Sequence, residues 1–516
     1  MTRVPASKTL LREHWIAVLL AALLTVGCGG HPTSEERLPG TDSSDDRRSA
    51  TDSHEPVSNL SSRPNTSDEE SDLTPLIPHA GEPVSTGGRA RISDNRPDIN
   101  ELRLRECGII RLESQRLRLL TDLPKEKVAH LPPLADQLYE HLSAYFGKLP
   151  PAEDGSEFQV TGHIIDDESK FTAAGLLPEA RMGFSHGRHF DYEFWMYGQK
   201  TDYFLRHLML HEFTHCFMTC ESGMRDIPPL WYIEGMAEYF ATHAVAEGKA
   251  SFGLLPDTTG GFDGWGRIAE LKRSFWVRQR QPLAESTEPV TTILTISSLD
   301  EIIPMRLAEF KSDYQYASSW AVCWLLESHP EYKSLSQQLR SVRRRAPFQQ
   351  IQQAIDAQLL LRLRKDWLLV VESLIEGFDP AHSLPVHHSK PWTLTDAPVI
   401  FELRADRGWC DTGLRLNVND SVTLTCEGRV QVNDLPEPWQ SEPQGVSIEY
   451  HEQLPLGQVV GILIGQDGQE ISGRIAIGRG RTITVTQNCS LWLQINESES
   501  GRRDNSGSIR VTLAAR

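Results

Sequence analysis

The amino-acid sequence predicts a multidomain protein with a disordered N-terminal tether, an α+β domain and an all-β sandwich. Three observations support this prediction. A length of 516 residues is enough for two or three domains. The first 98 residues contain one apolar run and then a long polar, acidic stretch. Beyond a segment rich in Pro and His near residue 385, helical periodicity is replaced by short strands separated by Gly, Asn and Asp turns.

Residues 1–28 have the layout of a bacterial export signal. Three basic residues precede the apolar run WIAVLLAALLTVG, which is too short for an ordinary membrane-spanning helix. The ending LTVGC resembles a bacterial lipoprotein cleavage box, which implies lipidation of Cys28 and a membrane anchor in the cell envelope. Thr25 departs from that box, because Leu usually stands three residues before the cysteine. Secretion without a lipid is the alternative.

Residues 29–98 are predicted to be a flexible, acidic linker. The stretch TSEERLPGTDSSDDRRSATDSHEPVSNLSSRPNTSDEESD has almost no large apolar side chain, so it cannot bury enough surface to become ordered. It would hold the folded part away from a membrane surface. The net charge of −18 argues against nucleic acid as a partner.

Residues 99–380 are predicted to form the α+β domain. ESQRLRLLTDLP alternates like an edge strand and is followed by a helix that ends near Phe146. FQVTGHII and HFDYEFWMYG have the composition of strands. Three later stretches have helical patterns: EIIPMRLAEF, YQYASSWAVCWLLESHP and WLLVVESLIEGF.

The stretch LMLHEFTHCFMTC predicts a helix that binds a metal ion. His211 and His215 are four residues apart, so both imidazoles lie on one helix face and can reach one ion. Zinc takes imidazole nitrogen as a ligand, and Glu212 is placed to accept a proton from metal-bound water. Polar groups in so apolar a helix are costly unless they are paired or bound to metal.

A second helix, predicted in PPLWYIEGMAEYF, would complete this zinc site. Glu234 follows His215 after eighteen residues and would be the third protein ligand, leaving a fourth position for water. Glu238 lies one turn further on and can accept the outer N–H of a ligand histidine. A solvated helix acid is the alternative for Glu238.

Three other residues in this region are not predicted to bind the zinc ion. His207 is about 12 Å along the helix from His215, too far to share one ion, and is interpreted as a surface or capping histidine. Cys216 and Cys220 are interpreted as core thiols or disulfide candidates. Seven cysteines remain if Cys28 carries lipid, and this odd number leaves at least one unpaired.

The segments HEFTH and WYIEGMAEY, with this spacing, resemble the gluzincin metallopeptidases, in particular the bacterial peptidase MA-like group. The resemblance is tight over about thirty residues and looser from about residue 100 to 375. It implies that His211, His215 and Glu234 bind zinc and that Glu212 acts as general base and acid. It also implies a strand along the cleft that pairs with substrate backbone.

The same resemblance implies a later Tyr or His that stabilises the oxyanion. Tyr314 and Tyr316 are the candidates, and Tyr316 is taken as the catalytic one. Ordinary aromatic packing is the alternative for both tyrosines.

Residues 381–390 are predicted to be a linker, in which His387 and His388 are solvated, and residues 391–516 a β-sandwich that folds alone. The segments GWCDTGLRLNVNDSVTLTCEG, PLGQVVGILIG, RIAIG and LWLQINESESGRRDNSGSIRVTL resemble, in order, the PA-IL-like galactose-binding lectins. This resemblance implies a calcium ion that bridges to carbohydrate hydroxyls. The matching ligands are Asn496, Glu497, Asp504 and Asn505, with Glu497 in place of the family's Asp. A sandwich that has lost the ligand is the alternative.

Two functions follow from the sequence. The first is an exported zinc metallopeptidase that hydrolyses a peptide or protein substrate and carries a carbohydrate-binding-like module. The second is a non-enzymatic surface-binding lipoprotein with a degenerate peptidase scaffold. The complete set of His211, Glu212, His215 and Glu234 favours the first.

Overall fold

The computed structural model describes residues 90–516, except residues 93, 95, 97, 178–185, 222, 224–225, 258–260, 279–292, 295–296, 396 and 434–436. The predicted signal peptide, Cys28 and the linker up to residue 89 therefore lie outside the described residues. The described part contains an α+β region and, C-terminal to it, an all-β region. None of its helices is both long enough and apolar enough to span a bilayer.

The described helices are α1 Glu101–Glu106, α2 Lys125–Val128, α3 Leu131–Phe146, α4 Glu168–Ala174, α5 Asp202–Thr219, α6 Leu230–Ala241, α7 Arg267–Arg278, α8 Leu299–Ile302, α9 Asp313–Ser328, α10 Lys333–Arg340, α11 Arg345–Ala354, α12 Ala357–Ser373 and α13 Pro380–Ser383. Short 3₁₀ turns occur at Leu307–Glu309, Pro330–Tyr332 and Arg502–Asp504.

The strands of the α+β region are β1 Ile110–Glu113, β2 Leu117–Thr121, β3 Val160–Ile165, β4 Gly187–Phe190, β5 Glu193–Tyr197, β6 His243–Ala246, β7 Lys249–Phe252 and β8 Ile293–Leu294. Those of the all-β region are β9 Trp392–Thr393, β10 Val399–Arg404, β11 Cys410–Leu416, β12 Ser421–Gln431, β13 Gln440–Ser441, β14 Tyr450–His451, β15 Leu454–Pro455, β16 Val459–Gly465, β17 Ile471–Ser472, β18 Ile475–Ala476, β19 Gly480–Thr484, β20 Cys489–Ile495 and β21 Ser506–Ala515.

The first five strands form one mixed sheet in the order β1-β2-β3-β5-β4. β2 pairs with β3 and β3 with β5 in parallel, while β1 and β4 are antiparallel to their neighbours. The predicted edge strand is therefore an interior one: β2 has a partner on each side, and Leu117, Leu119 and Leu120 are fully buried. The edge beside the helices is β4, which turns into β5 at Asp191 and Tyr192.

Helix α6 packs between α5 and α9, and this packing builds the centre of the α+β region. The backbones of α6 and α9 approach so closely that a Cβ on Gly235 would lie 2.3 Å from the carbonyl oxygen of Ser319. Only glycine fits at that position without displacing backbone. Because Gly235 follows Glu234 directly, this close contact also holds the predicted zinc ligand in place.

The all-β region has two large sheets and the two-stranded sheet β14-β15, and one of the large sheets is buried on both faces. β10, β21, β12, β13 and β19 form the first; β8, β17, β16, β20, β11, β9 and β18 form the second. Alternate residues of β16 and β20, such as Val459 and Leu491, pack inside the sandwich. The residues between them, such as Ile462 and Trp492, belong to the hydrophobic core of the helices. β8, from the α+β region, extends this sheet by pairing with β17.

The segment predicted to be a linker at 381–390 is held by both regions. Val386 donates its N–H to the carbonyl oxygen of Trp409, and Ser383 donates its hydroxyl to the carbonyl oxygen of Glu499. His387 was expected to be solvated, but its Nε2 lies 2.7 Å from Asp366 on α12 and its side chain is largely buried. His388 is exposed, as expected for a solvated residue.

The structure also places the first described residues, assigned to the linker by sequence, against the α+β region. Arg91 is buried; its guanidinium donates to the carbonyl oxygens of Pro150 and Ser156. Ile92 donates its N–H to the carbonyl oxygen of Cys220. The α+β region thus includes residues before 99.

The cysteines that the structure describes are all free thiols. Six are buried, and Cys107 is half-buried; the buried ones are Cys216, Cys220, Cys323, Cys410, Cys426 and Cys489. Burial raises the pKa of each buried thiol. Cys216 and Cys220 are thus core thiols rather than a disulfide.

Candidate metal centre

Helix α5 carries both histidines of the sequence motif on one face. It begins after Thr201, whose hydroxyl accepts the N–H of Phe204 as an N-cap. Nearly every residue after the first turn is buried, because the helix lies between the sheet, α3 and α6. The spacing of four residues brings Nε2 of His211 to 3.0 Å from Nε2 of His215.

Helix α6 adds a carboxylate to this pair. It begins directly after Pro229, and its residue Glu234 is buried against α5. Glu234 Oε2 lies 3.5 Å from His211 Nε2 and 3.2 Å from His215 Nε2. Among the described residues, these three are the one group of His, Cys, Asp or Glu whose ligand atoms lie close enough together to hold a metal.

The three atoms have the spacing that a small tetrahedral ion needs. Zinc bonds of about 2.0–2.1 Å place two ligands of a tetrahedron roughly 3.3 Å apart. The separations of 3.0, 3.2 and 3.5 Å between His211, His215 and Glu234 lie around this value. Two imidazole nitrogens that face each other at 3.0 Å also need a positive charge or a proton between them. The residues therefore fit a zinc ion.

Glu238 lies behind His211, one helix turn beyond Glu234. Its Oε1 is 3.3 Å from Nδ1 of His211, an ion-pair distance rather than a well-aligned hydrogen bond. Arg267 on α7 donates hydrogen bonds to both carboxylate oxygens of Glu238, at 2.8 and 3.0 Å. Burial raises the pKa of Glu238, but Arg267 and His207 outweigh this and hold that pKa well below its usual range. Glu238 is thus a buried, charged residue, not a solvated helix acid.

His207 corrects one expectation from the sequence. It is fully buried instead of lying at the surface, with Nε2 3.2 Å from Glu238 Oε2 and Nδ1 3.0 Å from the carbonyl oxygen of Ala241. Burial lowers its pKa. It belongs to the layer that supports Glu238, and it does not contact the ligand group.

Glu212, next to His211 on α5, faces the same space as the three ligands. It is buried, and its Oε2 has no hydrogen-bond partner among the described residues. Burial raises its pKa to about 7. A Cβ on Gly187 of β4 would lie 2.3 Å from Glu212 Oε1, so the missing side chain makes room for this carboxylate.

His189 on β4 is a site residue that the sequence analysis missed. Its Nδ1 lies 3.4 Å from Glu212 Oε2, and its ring stacks on that of His215 with centroids 4.3 Å apart. Burial lowers the pKa of His189 to about 4, so it is neutral. The signal available in the sequence was its position at the start of a strand expected to line the cleft.

These groups open into a cavity of about 570 Å³. Its lining comes from β4, α5, α6, the segment 303–307, Tyr316 and α11. Tyr316 of α9 lines the cavity, with its ring centroid 6.4 Å from that of His211. Tyr314 is not part of the lining, and its half-buried ring packs on the main core.

Asn496 does not offer its side-chain oxygen to the predicted calcium loop. Its Oδ1 accepts from Nη1 of Arg474 at 3.2 Å. Its Nδ2 donates to three backbone carbonyl oxygens, those of His451, Leu454 and Pro455. The side chain is fully buried and structural, because the guanidinium already satisfies the oxygen that would have bound the ion.

The other three predicted calcium ligands lie at one end of the sandwich. Glu497 and Asn505 are buried, and Glu497 Oε2 and Asn505 Oδ1 have no hydrogen-bond partner among the described residues. Burial raises the pKa of Glu497 to about 7, and the charges of Asp504 and Glu449 contribute. Asp504 itself is exposed.

Arg502 supplies a positive charge within the same loop. Its guanidinium is fully buried and is surrounded by five oxygen atoms. They are the carbonyl oxygens of Arg407, Ile495 and Glu497, Oε1 of Gln494 and Oε1 of Glu499. A side-chain cation therefore occupies the centre of residues 494–499.

Comparisons with known proteins add little. No protein-family model matches the chain, and no curated protein is similar enough to match. A structure described as "EclA N-terminal domain; PllA-like lectin" is 16% identical, over 24% of this chain and 100% of its own length, with a TM-score of 0.19. PliG of Aeromonas hydrophila, described as a periplasmic inhibitor of g-type lysozyme, is 9% identical, over 26% of this chain and 99% of its own length, with a TM-score of 0.16. This is a weak likeness to a lectin domain, and the peptidase family stays a prediction.

Proposed function

We propose that the chain is a zinc-dependent, gluzincin-type metallopeptidase. The convergence of His211, His215 and Glu234 within 3.0–3.5 Å of one another carries this proposal. Glu212 beside them and the adjoining cavity support it, because hydrolysis needs a base and room for substrate. Zinc bound there would supply a Lewis acid that activates water and polarises a carbonyl group.

Each protein group then has a defined task. Glu212 accepts a proton from the attacking water and returns it to the leaving nitrogen. Glu238, fixed by Arg267, orients the ring of His211. Tyr316 faces the cavity, where a phenol O–H can donate to an oxygen that gains negative charge. The edge of β4 that has no strand partner in the described part of the chain can bind extended substrate backbone.

Metal analysis of the purified full chain tests the ligand set. We expect about one zinc per chain in the wild type and none in His215→Ala. His163→Ala is the matched control, because His163 is equally buried but lies on β3, paired with Glu193. Stoichiometric zinc in His215→Ala would show that other residues bind the metal.

The Glu212→Gln variant tests the chemistry and separates the two functional hypotheses. The amide is nearly isosteric and leaves the metal ligands untouched, so zinc content should not change. Peptide hydrolysis should fall about 10²–10⁴-fold, the usual contribution of a general base. A wild-type protein that binds zinc but cleaves no peptide mixture would instead favour the non-enzymatic, surface-binding lipoprotein.

The all-β region supports a second, narrower proposal: a calcium site formed by Glu497, Asp504 and Asn505, and through it carbohydrate binding. The unpartnered buried oxygens of Glu497 and Asn505 favour it, since calcium prefers such ligands. In 10 mM calcium, a site with a Kd of about 1 mM would stabilise the fold by about 1.4 kcal/mol. Asp504→Ala should abolish this increase; identical melting of the wild type in calcium and in chelator would refute the site.

Export and anchoring are proposed from residues 1–28 alone. Expression of the full-length chain in a bacterium with labelled fatty acid would test them. We expect label in the wild type and none after Cys28→Ala. Label that persists in the variant, or its absence from the wild type, would rule out lipidation at Cys28.

A further inference from the structure

The cavity beside the candidate zinc site carries positive charges that the proposed chemistry does not use. They belong to Arg188 on β4, to Arg306 before the 3₁₀ turn, and to Arg345 at the start of α11. Apart from Glu212 and Glu234, these arginines are the only Asp, Glu, Lys or Arg residues among the described residues that line the cavity. The cavity lining outside the reacting groups is thus cationic.

This charge runs against the composition of the chain. Asp and Glu number 70 and Lys and Arg 52, so most cations have acids available as partners. Arg344, next to Arg345, does face Asp226, with 3.7 Å between the charged atoms. Within the described part of the chain, none of the three cavity arginines forms such an ion pair; Arg345 instead donates to the carbonyl oxygen of Ile227. Their charges remain available to a ligand.

Arg188 lies on β4 between two residues that face Glu212. These two neighbours are Gly187 and His189. A Cβ on Gly187 would lie 2.3 Å from Glu212 Oε1, and Nδ1 of His189 lies 3.4 Å from Glu212 Oε2. Arg188 is half-buried, lies on the edge strand β4 of the described sheet and lines the cavity. A peptide extended along β4 would therefore place a side chain near this guanidinium within one or two residues of the bond over Glu212.

We infer that the cavity selects peptides with an aspartate or glutamate beside the cleaved bond, and that Arg188 is the residue that recognises this side chain. The inference rests on the proposed metallopeptidase function. A guanidinium binds a carboxylate through two parallel N–H···O bonds, and partial burial strengthens that interaction. Arg306 and Arg345, which also line the cavity, add a field that attracts acidic peptides.

Cleavage of a mixed peptide library by the zinc-loaded full chain, with products sequenced by mass spectrometry, tests the inference. We expect an acidic residue to be enriched at one position next to the cleaved bond. Two matched peptides with Glu or Gln at that position should then differ about 10–100-fold in kcat/KM. Arg188→Gln should bring this ratio close to one, and Arg188→Lys, which keeps the charge but not the two parallel N–H···O bonds, should give an intermediate ratio.

Arg105→Gln is the control, because Arg105 is exposed on α1 and does not line the cavity. It should leave the ratio unchanged, and zinc content shows that each variant has folded. Cleavage without acidic preference overturns this inference and leaves the proposed function intact. An unaltered ratio in zinc-loaded Arg188→Gln overturns the role of Arg188. Failure of the zinc-loaded wild type to cleave any peptide overturns the proposed function itself.

Discussion

The two sites predicted to bind metal differ in whether the protein supplies its own cation. At His211, His215 and Glu234 the ligand atoms face one another at 3.0–3.5 Å, and Arg267 is held by Glu238 behind them. In the loop 494–505, arginines take the side-chain oxygens of Gln494, Asn496 and Glu499, while Glu497 Oε2 and Asn505 Oδ1 have no partner among the described residues. Only the oxygens that no side-chain cation satisfies are therefore candidates for binding a metal.

Removal of Arg502 is expected to have the largest effect. Arg502→Met would leave the carbonyl oxygens of Ile495 and Glu497 buried without their donor, and Glu499 would keep only Arg474, at 3.7 Å, as an arginine partner. Removing one partner from a buried ion pair typically costs about 3–5 kcal/mol. Chemical denaturation would measure this loss. Arg503→Met is the matched control: Arg503 is 81% exposed and pairs with Asp379 at the surface, so its loss should change stability little. Equal effects of both variants would remove the contrast between the two sites.

The next largest effect is expected at the zinc site. Glu238→Gln removes the carboxylate that orients His211, and loss of such an outer partner typically lowers metal affinity about 10–100-fold, or about 1.4–2.7 kcal/mol. Competition with a chelator would measure it. Glu193→Gln breaks another Glu–His pair, with His163 on the sheet, and should leave zinc affinity unchanged. Unaltered affinity in Glu238→Gln would show that His211 needs no such support.

The smallest effect on stability is expected at Arg474, another buried arginine, whose partner is Glu372 on α12 at 2.5 Å. Burial raises the pKa of Glu372, but Arg474 outweighs it and lowers the pKa overall. Between the lowered pKa of Glu372 in the folded chain and its pKa in the unfolded chain, the folded chain therefore holds fewer protons than the unfolded chain. The stabilisation is complete above the unfolded pKa, near 4.5, and is lost as pH falls below it.

Glu372→Gln should therefore be less stable than the wild type at pH 7 and show a flatter decline in stability below about pH 4.5. Denaturation midpoints measured from pH 7 to pH 3 would test this. A variant whose decline parallels that of the wild type would show that other carboxylates control acid unfolding.

Sequence reasoning succeeded where the geometry is local. A spacing of four residues on one helix was sufficient to place His211 beside His215. It failed where the partner is distant in the chain: the burial of His207 depends on Glu238 and Arg267, and the position of His189 depends on the packing of β4 against α5. No spacing rule links these residues before the fold is known.

The burial of the second sheet on both faces has a local signal in the sequence. The segment VVGILIG of β16 is apolar without alternation, which is typical of a strand covered on both sides. A sandwich that folds alone would expose residues such as Ile462 and Trp492, which here pack on the helices. The predicted independence of residues 391–516 is weakened by this contact.

The buried free thiols affect whether the chain can refold after thermal unfolding. While the fold is intact, burial keeps Cys216, Cys323 and Cys489 protonated and out of reach of oxidants. Once the chain unfolds in air, the same thiols become reactive and can form mismatched disulfides, so refolding is blocked. Its practical resistance to heat is then a lifetime set by the rate of unfolding, and reductant should restore recovery on cooling.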